Sequence, residues 1–134
     1  MASKDGNYAD VRIGEIALER TDAGISVLTI SGEHDLNTAS DLRRRLGELM
    51  DGGESVVIDL TPASFVDSTI LGVILEGRRQ AIENRRGFAV AQGDGVEAVA
   101  RVLEITGLRE ELPVHESRDS ALRDAATPVS GESA

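Results

Sequence analysis

The chain has no cysteine and no tryptophan, and aromatic residues make up only 2% of its 134 residues. Without cysteine it forms neither disulfides nor cysteine-ligated metal sites. It also has too few aromatic rings for the stacking platforms on which proteins bind single-stranded nucleic acid. The hydrophobic core must therefore consist mainly of aliphatic side chains.

Basic residues are scarce as well, since 14 Lys and Arg face 24 Asp and Glu, for a net charge of −10 and a pI near 4.6. This balance opposes binding to a phosphate backbone, which requires a basic surface. Half of the basic residues lie in the arginine runs 43–45, 78–79 and 85–86, and at helical spacing such runs are usually solvated faces. We therefore expect protein partners of basic or mixed charge rather than nucleic acid.

No apolar run approaches the roughly 18 residues that a membrane span needs. Residues 1–10 are polar and lack the apolar core of a signal peptide, so we expect a cytoplasmic protein with no membrane contact. The length suits one domain with one hydrophobic core. We place that domain at residues 11–126, between a flexible N-terminus at 1–10 and a flexible tail at 127–134.

Apolar periodicity divides the domain into strands and helices. Segments of strand character lie at residues 13–19, 25–31, 56–60, 87–91 and 112–115. Apolar stripes at helical spacing predict helices at about 37–51, 68–86, 96–106 and 118–126. Because strands and helices alternate from residue 25 onward, the sequence predicts an α/β fold. Its sheet is mixed but mostly parallel, with about four to five strands, one of them an antiparallel hairpin strand, and about four helices.

Residues 56–75, VVIDLTPASFVDSTILGVIL, carry the strongest chemical signal. A strand run and a turn come first, and Asp67, Ser68 and Thr69 then open a helix. A helix N-terminus has unpaired N–H groups and a positive partial charge, so it stabilises an anion. The same residue types are also preferred N-caps, because a side-chain oxygen accepts a hydrogen bond from those N–H groups. The residues alone leave a plain cap and a modification site both open.

The motifs VVIDLT and FVDSTxLGV, together with GEHDLNTA at residues 32–39, resemble the STAS domain family over roughly residues 13–126. Within that family the chain is most similar to the single-domain bacterial anti-sigma factor antagonists. The resemblance implies that Ser68, which follows Asp in the DS[ST] motif, is the phosphorylated residue. It also implies that Asp35 is the acidic residue of the family's GExD motif. The family commonly has glycine after DS[ST], whereas this chain has the stiff β-branched Ile70.

The same resemblance implies that the protein regulates transcription by phosphorylation-gated partner switching, as in a stress response. Unmodified, it would bind an anti-sigma factor that is a serine kinase and thereby free a sigma factor. A serine phosphatase is the second implied partner, and no cofactor is implied. Phosphate on Ser68 would add about −1.5 to −2 charge to the contact surface. The residues expected at that surface are Asp35, Phe65, Asp67, Thr69 and Ile70.

Ile70 also keeps an alternative open, a non-phosphorylated STAS scaffold subunit of a signalling or lipid-transport complex. On a helix it lies about 100° from Leu71, which belongs to the core-facing stripe. We therefore expect Ile70 to be at least partly exposed and to form, with Phe65 and Val66, a small apolar contact for the partner. Packing of Ile70 into the core is the other possibility.

Carboxylates and a histidine near the same strand ends suggest two further sites. Asp35, Asp59 and Asp67 could converge to bind a cation or to orient a kinase, because loops after parallel strands share one sheet edge. They could equally serve local turns and caps, and no metal-binding loop motif is present. His34 beside Asp35, with Ser68 downstream, invites a Ser-His-Asp hydrolase. The chain lacks a GxSxG elbow, so we do not expect an enzyme.

Overall fold

The computed structural model describes residues 15–92, 104–105, 107 and 114–129. The strands are β1 (Glu15–Arg20), β2 (Ile25–His34), β3 (Ser55–Asp59), β4 (Ala63–Val66), β5 (Phe88–Ala91) and β6 (Val114–His115). The helices are α1 (Leu36–Asp51), α2 (Ser68–Asn84) and α3 (Arg118–Ala125). The predicted helix at 96–106 falls outside these residues except for Glu104 and Ile105, which are helical.

The strands form one mixed sheet in the order β1-β2-β3-β5-β6, with β4 paired to the far end of β2. Among the strand pairs that the structure describes, only the β1–β2 hairpin is antiparallel, and the others are parallel. The α/β class and the mostly parallel sheet with one hairpin strand are therefore confirmed. Strand β4 was not predicted from the sequence. Its four residues follow a proline turn, and only its first and last side chains are buried, so they show no clear strand pattern.

Two hydrophobic layers cover the two faces of the sheet. On one face, α1 and α2 enclose the larger core, and the predicted α1 stripe of Leu42, Leu46 and Leu49 is buried there. On the opposite face, α3 covers a smaller core in which alternate strand residues such as Val27 and Val57 meet small helix residues. This alternation follows from the strand period of two, which sends successive side chains to opposite faces.

One arginine fastens α3 to three strands. The Arg118 guanidinium lies 2.9 Å from the Asp59 carboxylate, 3.0 Å from the Thr29 hydroxyl and 3.2 Å from the Glu19 carboxylate. Burial opposes the charge on Arg118, but the hydrogen bond and charge of Asp59, with those of Glu19, outweigh it and raise the pKa of the guanidinium. Asp59, the odd polar member of an apolar strand, is thus a buried ion-pair partner.

The C-terminal end of the domain packs closely against the start of β5. Val129 donates a backbone hydrogen bond to Arg86 at 3.0 Å and packs against the larger core. Contacts of the domain therefore extend past residue 126, where we placed its end. Gly87 lies so near α3 that a Cβ on it would come within 1.8 Å of the Ala125 carbonyl oxygen.

We predict that Gly87→Ala lowers the free energy of unfolding by about 3 kcal/mol, because the added methyl group must displace helix backbone rather than a flexible side chain. Urea unfolding followed by far-ultraviolet circular dichroism measures the change. Gly47→Ala is the matched control, since a Cβ on Gly47 meets no atom within 4 Å. Unfolding of Gly87→Ala at the wild-type urea concentration would contradict the close packing of α3.

Candidate functional site

Strands β2 and β4 end side by side at one edge of the sheet. Their parallel register pairs Glu33 with Phe65 and His34 with Val66. Immediately beyond, the Asp67 backbone N–H donates to the His34 carbonyl oxygen at 3.2 Å. Each strand is followed at once by a helix, so the N-termini of α1 and α2 are held next to each other.

Asp35 is the N-cap of α1. Its carboxylate accepts a hydrogen bond from the Asn37 backbone N–H at 2.8 Å, and the Thr38 hydroxyl accepts one from the Asp35 backbone N–H at 3.2 Å. This reciprocal pair is a capping box, which satisfies N–H groups that the helix itself cannot pair. Asp35 is nevertheless exposed to solvent, so it serves the fold and also lies on the surface where we expected it.

Asp67 is the N-cap of α2, and its carboxylate accepts a hydrogen bond from the Ile70 backbone N–H at 3.1 Å. Ser68 is therefore the first residue of the helix rather than its cap. Its side chain is exposed, and its hydroxyl makes no hydrogen bond within the part of the chain that the structure describes. Because Asp67 does the capping, the fold leaves the Ser68 hydroxyl available for modification.

Ile70 is fully buried in the larger core, so our prediction of a partly exposed side chain that contacts a partner is wrong. Val66, which we expected in the same apolar contact, is fully buried as well. The prediction assumed one narrow apolar stripe on α2. In the structure α2 packs against both the sheet and α1, which widens its buried face to include Ile70 and Val73 beside the stripe of Leu71 and Ile74. The side chain of Ile70 therefore points away from the surface that carries Ser68.

Two large apolar side chains are exposed near these helix starts. Phe65, which we expected at the surface, is 42% exposed, and Leu36, the first residue of α1, is 70% exposed. Sequence reasoning missed Leu36, although its spacing of six residues from Leu42 already places it off the buried stripe. The exposed Glu33 and Asp35 lie beside them in the chain or across the strand pair. The surface thus combines apolar anchors with carboxylates.

His34 is buried inside the site and does not reach Ser68. Its Nε2 lies 2.9 Å from the Ser31 carbonyl oxygen, and its Nδ1 lies 3.0 Å from the Thr38 hydroxyl. A carbonyl oxygen only accepts hydrogen bonds, so Nε2 carries a proton and both ring nitrogens are occupied. The Ser-His-Asp arrangement considered from the sequence does not form.

The three aspartates do not form one cluster. Asp35 and Asp67 cap neighbouring helices, whereas Asp59 pairs with Arg118 and accepts a hydrogen bond from the Thr61 backbone N–H at 2.9 Å. Within residues 15–92 and 114–129 no group of three or more histidine or carboxylate side chains could hold a metal ion. The local cap-and-turn interpretation holds for each of the three.

This site lies in a recognised type of domain, because the STAS domain model matches residues 17–121. The chain belongs to the STAS domain family. It is 33% identical over 103 residues to an anti-sigma F factor antagonist of Paenibacillus polymyxa, covering 75% of this chain and 86% of that one. It is 31% identical over 109 residues to the anti-sigma-F factor antagonist RsfB of Mycobacterium tuberculosis, covering 81% and 84%.

A solved structure agrees with the fold. The crystal structure of an anti-sigma factor antagonist from Mycobacterium paratuberculosis superimposes with a TM-score of 0.75 at 28% identity, over 84% of this chain and 94% of that one. Among the described helices, none has the length and apolar character needed to cross a membrane.

The buried position of Ile70 predicts a loss of stability on truncation. Ile70→Ala should lower the free energy of unfolding by about 2–4 kcal/mol, because it removes methyl groups from a packed core and leaves a cavity. Chemical denaturation measures this loss. Leu36→Ala, at a 70% exposed position on the neighbouring helix, should change stability by less than about 0.5 kcal/mol. If Ile70→Ala is as stable as the wild type, the buried position of Ile70 is contradicted.

Proposed function

We propose that this chain is an anti-sigma factor antagonist that changes partners when Ser68 is phosphorylated. Unmodified, it binds an anti-sigma factor that is also a serine kinase, and a sigma factor is thereby released for transcription. A serine phosphatase restores the unmodified form, and the cycle runs in the cytoplasm without a cofactor. The observation that carries the proposal is the exposed, non-capping hydroxyl of Ser68 at the start of α2 in a STAS domain.

The geometry around Ser68 supports a stable phosphoserine. A phosphate at the first helical residue lies next to the free N–H groups and the positive end of the α2 dipole, which both stabilise an anion. Because Asp67 rather than Ser68 caps the helix, modification removes no hydrogen bond on which α2 depends. The fold can therefore carry either form of Ser68 without rearrangement.

The change that a partner senses is electrostatic and steric. Phosphorylation adds about −1.5 to −2 charge to a protein whose net charge is already −10. Asp67 adjoins the modified residue, and Asp35 caps the neighbouring helix. A partner surface that fits the uncharged Ser68 hydroxyl provides neither the space nor the basic groups that a bulky, hydrated phosphate needs. Binding is weakened through the contact surface itself.

The contact surface has an apolar part as well as a charged part. Leu36 and Phe65 provide exposed apolar area of the kind that anchors interfaces, and Thr69 is half-buried beside Ser68. Ile70 contributes only from below, by packing under the first turn of α2. Because its side chain is buried, it does not crowd the Ser68 hydroxyl, and its difference from the family glycine gives the scaffold alternative no support.

Ser68 acts in this proposal as a substrate of the kinase rather than as a nucleophile. His34, the histidine adjacent to this sheet edge, has both ring nitrogens engaged by Ser31 and Thr38. No general base is thereby supplied to the Ser68 hydroxyl from His34. We accordingly propose a binding protein without catalytic activity of its own.

We predict that Ser68, and not Thr69, accepts the phosphoryl group, because its side chain is the more exposed of the two and follows the capping aspartate. Phosphopeptide mapping after incubation with ATP and the cognate kinase locates the group. Thr69→Val is the matched control and should still be labelled. Label on Thr69 alone, or label that persists in Ser68→Ala, would contradict the assignment.

Binding should follow the charge at residue 68. Ser68→Ala should bind the anti-sigma factor with wild-type affinity, with or without ATP, whereas Ser68→Glu should bind at least tenfold more weakly, a change of about 1.4 kcal/mol. Calorimetry with the purified anti-sigma factor measures both affinities, and melting temperatures confirm that both variants are folded. Equal affinities would remove the electrostatic switch and favour a scaffold.

A further inference from the structure

Gly72 is an exposed glycine in the second turn of α2, at a position where neither close packing nor backbone conformation requires a glycine. A Cβ on Gly72 meets no atom within 4 Å, and Gly72 does not adopt a positive φ. Glycine weakens a helix interior relative to alanine because it has more backbone freedom to lose on folding. Within the described part of α2, Gly72 therefore costs stability without a visible structural return.

The other helical glycine of α2 shows the contrast. A Cβ on Gly77 would come within 2.5 Å of Leu46 Cδ2 and 3.2 Å of Phe88 Cε2. Glycine at residue 77 is thus explained by the close packing of α2 against α1 and the sheet. Among the described residues, no comparable neighbour surrounds Gly72, which is exposed to solvent.

The position of Gly72 relative to Ser68 suggests what the missing side chain would do. Residues four apart lie on the same helix face, one turn above the other. Side chains on a helix lean toward its N-terminus, so a residue covers the surface of the turn before its own Cα. A side chain at residue 72 would therefore extend over the surface beside the Ser68 hydroxyl.

We propose that Gly72 keeps the approach to Ser68 open. Because residue 72 has no side chain, the anti-sigma factor can contact the backbone of the first two turns of α2 directly. The partner in question is a protein whose surface fits the bare helix face formed by Ser68 and Gly72. This inference rests on the proposed function, because it assigns a specificity-determining residue to the same contact surface.

The test separates stability from binding with four variants, Gly72→Ala, Gly72→Gln, Gly47→Ala and Gly47→Gln. Gly47 is the matched control, since it is also helical and a Cβ on it also meets no atom within 4 Å. It lies 11 residues into α1, about 16 Å along that helix, whereas Gly72 is about 6 Å from Ser68 along α2. Both alanine variants should raise the melting temperature by roughly 2–5 °C.

The affinity for the purified anti-sigma factor should then differ between the variants at residue 72 and those at residue 47. We expect Gly72→Gln to weaken binding at least tenfold and to slow phosphorylation of Ser68, while Gly47→Gln binds like the wild type. A loss smaller than tenfold for Gly72→Gln, or an equal loss for both glutamine variants, overturns the inference. If Gly72→Gln lowers the melting temperature, the affinity of Gly72→Ala is used instead. A loss of affinity of at least threefold for Gly72→Ala then supports the inference, and a smaller loss overturns it.

The same experiment distinguishes this inference from the proposed function. If the wild type binds the anti-sigma factor and Gly72→Gln binds equally well, only the role of Gly72 is lost. If the wild type binds none of the anti-sigma factor kinases of its own bacterium, each tested in purified form, the proposed function is lost and the role of Gly72 with it.

Discussion

The pairing of β2 with two parallel strands, first β3 and then β4, fixes the positions of the two helices that begin at the candidate site. Ile25 to Thr29 pair with β3, and the last three residues of β2 pair with β4, with a register shift between Gly32 and Glu33. Gly32 has a φ of +81°, a conformation that glycine adopts at little cost and that suits such an irregularity. Without this change of partner β4 would not end beside β2, and the two helix N-termini would not meet.

The core contacts of α2 and its proposed contact surface lie on opposite sides of the same helix. Ile70, Leu71 and Ile74 hold α2 on the core, while Ser68 and Gly72 face solvent. Asp67, the N-cap of α2, accepts a hydrogen bond from the Ile70 backbone N–H. The Ser68 hydroxyl is therefore not needed to cap the helix. A modification at Ser68 can therefore change the surface of the domain while the packing beneath it stays the same.

Local patterns in the sequence predicted much of this fold. The hairpin, the buried run of β3 and the stripe of α1 all follow from periodicity, and the DST motif located Ser68 at a helix start. β4 was missed because a four-residue strand with two exposed side chains has no clear alternation. The exposure of Ile70 was misjudged because it depends on α1, a neighbour that the α2 sequence does not specify. The ion pair of Asp59 with Arg118 joins residues 59 positions apart, a separation that no local pattern spans.

The two cores differ in how firmly they hold their helices. α1 and α2 each bury several large aliphatic side chains, whereas α3 has eight residues and buries only Ala121 and Ala125. A short helix with so little apolar contact opens at a lower free energy than the helices of the main core. We therefore expect the amide protons of α3 to exchange with solvent through a local opening that leaves the N-termini of α1 and α2 in place. Such an opening would leave the Ser68 surface unchanged, because α2 packs on the larger core, on the opposite face of the sheet.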